Sequence, residues 1–142
     1  MSSTNPPLPR VVEVMTKPVV SIDPGLRINV AIELMRANQV RRLPVLNKTG
    51  RLVGIVTLAN ALLAESENSG SDQDVPFVRD VMTDYVYTIG PDATVDQAAD
   101  MMVNHCISAL PVMDGTEMIG LVTESDLFEF LAGWLRPKAS AA

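Results

Sequence analysis

The sequence contains little cysteine, few aromatic residues and no excess of positive charge. Its one cysteine, Cys106, excludes an internal disulfide and is typical of a reducing compartment. Acidic residues outnumber basic ones by 17 to 11, which gives a net charge of −6. Because binding to duplex nucleic acid requires clustered lysine and arginine, this charge argues against duplex nucleic acid as a partner.

Long apolar runs and groups of catalytic residues are also missing. No stretch approaches the roughly 18 apolar residues of a membrane-spanning helix, and the start of the chain does not resemble a signal peptide. We therefore expect a cytoplasmic protein with no membrane span. The one histidine, His105, is followed directly by Cys106, and no further histidine or cysteine exists to complete a metal site. We expect no enzyme activity, no catalytic residue, no metal site and no required cofactor.

The sequence does contain one pattern twice. Apolar residues make up 47% of the chain, which is typical of a globular protein, and three short motifs recur after 66 or 67 positions. They are Val-Met-Thr at 14–16 and 81–83, Leu-Pro-Val at 43–45 and 110–112, and Gly-x-Val-Thr at 54–57 and 120–123. A period of this length, kept over most of the chain, predicts two copies of one supersecondary unit.

Composition divides the chain into five segments. A polar, proline-rich lead-in that we expect to be disordered is followed by the first repeat, a polar linker, the second repeat and a flexible tail. Their bounds are 1–10, 11–65, 66–77, 78–134 and 135–142. Since one copy of about 55–60 residues buries little apolar surface by itself, we expect the two copies to pack together.

Each copy has the pattern strand, helix, strand, strand, helix. In the first copy, a β-rich run at 19–22 precedes a helix that Asn29 is expected to cap. In the second copy, Thr94 or Asp96 is expected to cap the corresponding helix, and Cys106 is expected to be a buried thiol. The last helix, Ser125 to Trp134, carries an apolar stripe whose Trp134 either seals the core or contacts a second subunit.

The ordered set of motifs, repeated in register, resembles the cystathionine-β-synthase (CBS) domain, two of which form a Bateman module. The resemblance covers roughly residues 11–133. It implies an α+β fold of two β-α-β-β-α repeats related by a pseudo-twofold axis, whose small mixed sheets pack together with the helices outside. It also implies a homodimer.

The resemblance further implies a regulatory function. Members of the family bind adenosine-containing ligands (AMP, ADP, ATP or S-adenosylmethionine) in clefts between the two copies and signal to a partner protein. We expect this chain to be a stand-alone module of that kind. The alternative is a dimerisation or interaction module that senses no ligand and whose clefts are vestigial.

Carried over by motif, the resemblance assigns residues to a first cleft. These are Thr16, Val40, Gly120, Val122, Thr123, Ser125 and Asp126. Thr123 and Ser125 offer hydroxyl groups at a helix start, where free N–H groups suit a phosphate, and the Asp126 carboxylate can accept hydrogen bonds from a ribose diol. The alternative is that these residues only cap the last helix, and the sequence leaves both interpretations open.

A second cleft is assigned in the same way. Its residues are Arg42, Gly54, Val56, Thr57, Asn60, Thr83 and Ile107. Asn60 stands where the family pattern has aspartate, and a neutral amide makes weaker hydrogen bonds to a diol than a carboxylate does. Arg42 can bind a phosphate bidentately, whereas the other copy has Ala109 at the equivalent position. Arg42 as a solvated surface charge is an equally open alternative.

Overall fold

The computed structural model describes residues 7–68, 70 and 74–137, which form two compact units. The central unit is Val19–Tyr87, and the terminal unit combines the residues up to Pro18 with those from Thr88 onward. The helices and strands of the described residues are α1 (Val11–Val14), α2 (Ile28–Asn38), β1 (Arg42–Leu46), β2 (Leu52–Thr57), α3 (Leu58–Ser66), α4 (Val78–Val81), α5 (Val95–His105), β3 (Ala109–Asp114), β4 (Glu117–Thr123) and α6 (Glu124–Leu135).

The bounds of the units differ from those of the sequence repeats. Helix α1 lies within the first repeat but belongs to the terminal unit, and α4 lies within the second repeat but belongs to the central unit. Each Val-Met-Thr motif is therefore in the same unit as the Gly-x-Val-Thr motif of the other repeat.

The central unit is built on the antiparallel pair β1–β2. Arg42 lies opposite Thr57 and Val45 opposite Gly54. The predicted strand at 19–22 contributes only one parallel bridge, in which the N–H of Leu46 donates to the carbonyl of Ile22 at 2.9 Å. It stops there because the chain turns at Asp23, whose carbonyl accepts a hydrogen bond from the N–H of Leu26.

The terminal unit repeats this arrangement with β3 and β4. Ala109 lies opposite Thr123 and Val112 opposite Gly120, and Ile89 forms the parallel bridge to Val112. The fold is therefore α+β with two small antiparallel hairpin sheets and helices, as the sequence predicts.

Each unit has a core of aliphatic residues. In the central unit, Ile28, Met35, Leu43, Val45 and Val56 have no solvent exposure. In the terminal unit the corresponding set is Val11, Leu110, Val112 and Val122. Burying one such side chain contributes about 1.5–3 kcal/mol, so the repeated hairpins supply much of the stability of both units.

The helix ends correct two predictions and confirm one. Helix α2 begins at the buried Ile28 with Arg27 as its N-cap, so the expected cap at Asn29 is wrong. Thr94 is the N-cap of α5, and its N–H donates to the Gln97 Oε1 at 3.0 Å. Cys106 is exposed rather than buried, because it follows the last residue of α5 as a left-handed C-cap with a φ of 54°.

The last two residues of the expected lead-in contact the second repeat. The Pro9 carbonyl accepts a hydrogen bond from the N–H of Val95 at 3.0 Å, and the Arg10 guanidinium contacts the Asp92 carboxylate at 2.9 Å. Pro9 and Arg10 therefore have defined contacts within the terminal unit. The other residues of the expected lead-in, linker and tail that lie outside the described residues are 1–6, 69, 71–73 and 138–142.

Candidate functional site

The start of α6 holds two of the predicted site residues in a reciprocal cap. Thr123 ends β4 and is the N-cap of the helix, and its Oγ1 accepts a hydrogen bond from the N–H of Asp126 at 3.2 Å. In return, the N–H of Thr123 donates to the Asp126 Oδ2 at 2.9 Å. This is a capping box, so both residues cap the last helix.

Thr16 joins this cap from the other end of the sequence. Its backbone pairs with Leu121 of β4 through two hydrogen bonds of 2.8 and 3.1 Å. Its Oγ1 lies 3.0 Å from the Asp126 Oδ1 and 3.2 Å from the Oδ2, so the hydroxyl donates to the carboxylate. The terminal unit thus brings Thr16, Thr123 and Asp126 together, as the first set of site residues requires. We refer to these three residues as the Asp126 cluster.

The remaining residues of the first set differ in what they can offer a ligand. Ser125 is exposed in the first turn of α6, and its hydroxyl makes no hydrogen bond to another described residue. Val122 has no exposed surface and Gly120 is buried, so the Val122 side chain cannot contact a ligand. Val40 belongs to the central unit, where it is half-buried and its N–H donates to the Met35 carbonyl at 3.0 Å.

The second set gathers at the start of α3 in the central unit. Thr57 is the N-cap, and its Oγ1 accepts a hydrogen bond from the N–H of Asn60 at 3.2 Å. Arg42 pairs with Thr57 across the hairpin, and Thr83 pairs with Ile55 through backbone bonds of 2.8 and 2.9 Å. Asn60 thus has the position of Asp126 in the terminal unit, and Thr83 has the position of Thr16.

The two units differ in one side-chain hydrogen bond, the one that joins the Thr16 hydroxyl to Asp126 in the terminal unit. Among the described residues, no hydrogen bond joins the Thr83 hydroxyl to Asn60, and both side chains are exposed. Gly54 is buried and has no side chain, and Val56 has no exposed surface. Neither residue offers a side chain to a ligand. Ile107 lies in the terminal unit, where its N–H donates to the Met102 carbonyl at 3.0 Å.

Two tyrosines that the sequence did not single out follow Thr83. The rings of Tyr85 and Tyr87 meet edge to face at 5.1 Å between centroids, and Tyr85 is 72% exposed. A side-chain hydrogen bond to Tyr85 is the largest cause that raises the pKa of Tyr87 above its usual value of 10.0, because it favours the protonated Tyr87 hydroxyl. The alternation Tyr-Val-Tyr is the one signal that could have identified them, since it places both rings on one face of an extended segment.

A shallow depression of 290 Å³ lies between α2 and α3. Apolar atoms of Ile32, Met35 and Leu58 line it, together with the polar side chains of Arg36 and Arg41. The Arg36 guanidinium forms an exposed ion pair with the Glu33 carboxylate at 3.1 Å, so part of its positive field is compensated by that carboxylate. The described residues contain no group of three or more His, Cys, Asp or Glu side chains placed to hold a metal ion. None of the helices in the described part has the length and apolar character needed to cross a membrane.

Comparison with known proteins identifies the repeated unit. The family model of the CBS domain matches two segments, residues 11–67 and 78–133. The chain belongs to the CBS domain family. The two matched segments make it a tandem CBS pair, as the motif spacing predicted.

Relatives and solved structures are similar to this chain over most of its length. An uncharacterized protein of Methanocaldococcus jannaschii is 33% identical, with 84% of this chain and 89% of the relative covered. The CBS domain pair of protein MJ0100, solved in complex with 5′-methylthioadenosine and S-adenosyl-L-methionine, superposes with a TM-score of 0.81 at 26% identity. The superposition covers 90% of this chain and 99% of the MJ0100 chain. CBSX2 in complex with AMP gives a TM-score of 0.77 at 25% identity, over 89% and 98% of the two chains.

Proposed function

We propose that this CBS pair is a cytoplasmic regulatory module that binds an adenosine-containing ligand and reports its presence to a partner protein. The observation that carries the proposal is the Asp126 cluster, in which a carboxylate and hydroxyl groups lie at the N-terminus of a 12-residue helix. Two structural relatives with comparable folds hold S-adenosyl-L-methionine, 5′-methylthioadenosine or AMP. The ligand class common to those complexes is an adenosine derivative.

The chemistry of the Asp126 cluster suits a ribose with a nearby charged group. The half-buried Asp126 carboxylate accepts hydrogen bonds, and a ribose diol presents two adjacent donors. The exposed hydroxyl of Ser125 and the positive end of the α6 dipole lie one residue away and favour an anion such as phosphate.

The start of α3 offers different chemistry, and we propose it as a second site with a stronger preference for phosphate. Asn60 supplies a neutral amide where the other unit has Asp126, so its bonds to a ribose are weaker. Arg42, opposite Thr57, supplies a positive charge there. We call the start of α3 with Arg42 the Arg42 site, and the start of α6 with the Asp126 cluster the Asp126 site. We therefore expect the Arg42 site to prefer AMP, ADP or ATP and the Asp126 site to accept ligands with little phosphate.

A homodimer is the second part of the proposal. Helix α6 contains no buried residue, and its apolar side chains are widely exposed, with Phe128 at 64%, Leu135 at 69% and Trp134 at 42%. A second copy that covers this face would bury the apolar surface of both subunits. Because a ligand shifts an equilibrium only through differential contacts, binding next to the start of α6 can alter how this helix is presented to a partner.

A melting series with purified protein tests the ligand proposal. AMP, ADP, ATP and S-adenosylmethionine are compared with guanosine compounds, each near millimolar concentration. A ligand at 100 times its Kd stabilises a protein by about 2.7 kcal/mol, which raises the melting temperature by several degrees. A shift with adenosine compounds alone supports the proposal. No shift with any of them contradicts it and favours an interaction module that senses no ligand.

A further inference from the structure

We propose that Thr16 sets how strongly the Asp126 site distinguishes ribose from 2′-deoxyribose, because its hydroxyl competes with a ribose hydroxyl for the same carboxylate. The inference rests on the proposed function, since it concerns the adenosine ligand of that site. Its basis is the number of hydrogen-bond donors that the described residues supply to Asp126.

Three donors of the described residues contact the Asp126 carboxylate. They are the N–H of Thr123 at 2.9 Å, the Thr123 hydroxyl at 3.1 Å and the Thr16 hydroxyl at 3.0 Å. An ionised carboxylate has about four acceptor positions in total. About one position therefore remains, whereas the two hydroxyls of a ribose diol require two. A bound ribose must displace one of the three donors.

Thr16 is the donor that can leave at least cost. The N–H of Thr123 is fixed by the capping box, and the Thr123 hydroxyl also accepts the bond from the N–H of Asp126. Thr16 is exposed, and both its backbone N–H and its carbonyl form hydrogen bonds with the backbone of Leu121. Its hydroxyl can therefore rotate away about the Cα–Cβ bond without moving the chain.

The displacement changes the net number of hydrogen bonds for each sugar. A ribose gains two bonds to Asp126 and costs the Thr16 bond, for a net gain of one. A 2′-deoxyribose has only the 3′-hydroxyl, uses the remaining position and leaves Thr16 in place, again for a net gain of one. Wild-type protein should thus discriminate weakly between the two sugars at this site, and removing the Thr16 hydroxyl should favour ribose alone.

The other unit provides a control within the same molecule. Thr83 has the position equivalent to Thr16 and the same backbone pairing, but no hydrogen bond joins its hydroxyl to Asn60 among the described residues. Thr83→Val therefore removes a hydroxyl from the same structural context without freeing a carboxylate. Thr16→Ser is a second control, because it retains the donor.

The experiment is a calorimetric titration with AMP and with 2′-deoxy-AMP. Thr16→Val should bind AMP about three- to tenfold more tightly than wild type, the range expected for one hydrogen bond, and 2′-deoxy-AMP within about twofold of wild type. Thr16→Ser and Thr83→Val should leave the ratio of AMP to 2′-deoxy-AMP affinity as it is in wild type, because neither changes the number of acceptor positions on the Asp126 carboxylate. In an Asp126→Ala background, Thr16→Val should have no effect on either affinity.

The outcomes separate this inference from the proposed function. Equal AMP affinity in wild type and Thr16→Val, or equal tightening for both nucleotides, overturns the role of Thr16 while leaving the function intact. AMP binding to Thr16→Val but not to wild type supports the competition in its strongest form. If AMP binds no variant, the inference falls, and the melting series with S-adenosylmethionine decides whether the proposed function falls with it.

Discussion

Met82 packs against Gly54 so closely that a Cβ atom on Gly54 would lie 2.6 Å from the Met82 Sδ and 2.8 Å from the Thr83 carbonyl oxygen. In the terminal unit, Met15 packs against Gly120, where an added Cβ would lie 2.9 Å from the Met15 Cγ. The methionine of each Val-Met-Thr motif thus packs on the glycine of a Gly-x-Val-Thr motif. Two motifs that recur in the sequence are joined in one contact.

The two glycines should tolerate alanine differently. At Gly54 the added methyl group meets a backbone oxygen that cannot rotate away, whereas at Gly120 its three nearest atoms all belong to the flexible Met15 side chain. We expect Gly54→Ala to lower the free energy of unfolding by about 2–3 kcal/mol and Gly120→Ala by about 1 kcal/mol or less. Urea denaturation followed by circular dichroism measures both. Equal losses would contradict the role assigned to the Thr83 carbonyl.

The sequence predicted the elements better than their grouping. Leu-Pro-Val and Gly-x-Val-Thr are apolar runs on either side of a short turn, and the hairpins they predict are present. The membership of α1 and α4 could not be read from the repeat, because a four-residue helix has contacts that depend on tertiary structure rather than on local propensity. The cap at Arg27 was missed because it uses no side-chain hydrogen bond.

Gln39 ends α2 in a left-handed conformation with a φ of 56°. A side chain costs about 1–2 kcal/mol in this region, and glycine avoids that cost while losing more entropy on folding. We therefore expect Gln39→Gly to raise the free energy of unfolding by about 0.5–1 kcal/mol. Ala37→Gly, two residues earlier in the helix, is the matched control and should lower it by about 1 kcal/mol. Destabilisation by Gln39→Gly would contradict the cap assignment.

The tyrosine pair makes a prediction at alkaline pH. The side-chain hydrogen bond between Tyr87 and Tyr85 is the largest cause of the raised pKa of Tyr87, so Tyr85→Phe should lower that pKa toward 10.0. Because the raised value favours the protonated form in the folded chain, its contribution to stability is present below pH 10 and is lost as the pH rises through the folded pKa. Ultraviolet titration of the phenolate absorbance measures the change. An unchanged midpoint in Tyr85→Phe would refute this cause.

Helix α6 provides a test of the proposed homodimer. Leu131 is 47% exposed in the middle of the helix, and a glutamate there should shift the protein from dimer to monomer in sedimentation velocity. Val103 on α5 is 76% exposed, so Val103→Glu introduces the same charge at an exposed apolar position on another helix. It should leave the dimer intact. Dissociation by both variants, or by neither, would argue against α6 as the interface.

The site was predicted in part. Thr16, Thr123 and Asp126 meet as the motifs implied, since a β-bridge and a helix cap fix their positions. What no sequence pattern could provide is the bond from Thr16 to Asp126, because it joins residues 110 positions apart through side-chain rotamers. The buried side chain of Val122 was assigned to the site because a motif marks a segment and does not distinguish side chains from backbone.

Direct titration of the adenosine ligand identified in the melting series, into wild type, Asp126→Ala and Asn60→Ala, tests the proposed function at its proposed residue. Asp126→Ala removes the carboxylate of the terminal unit, and Asn60→Ala removes the corresponding amide of the central unit, which makes no hydrogen bond to another described residue. We expect Asp126→Ala to lower the affinity about tenfold or more, because hydrogen bonds to a charged group contribute roughly 1.5–3 kcal/mol each. We expect a much smaller loss for Asn60→Ala. Unchanged affinity in Asp126→Ala, with the protein still folded, would contradict the proposed function.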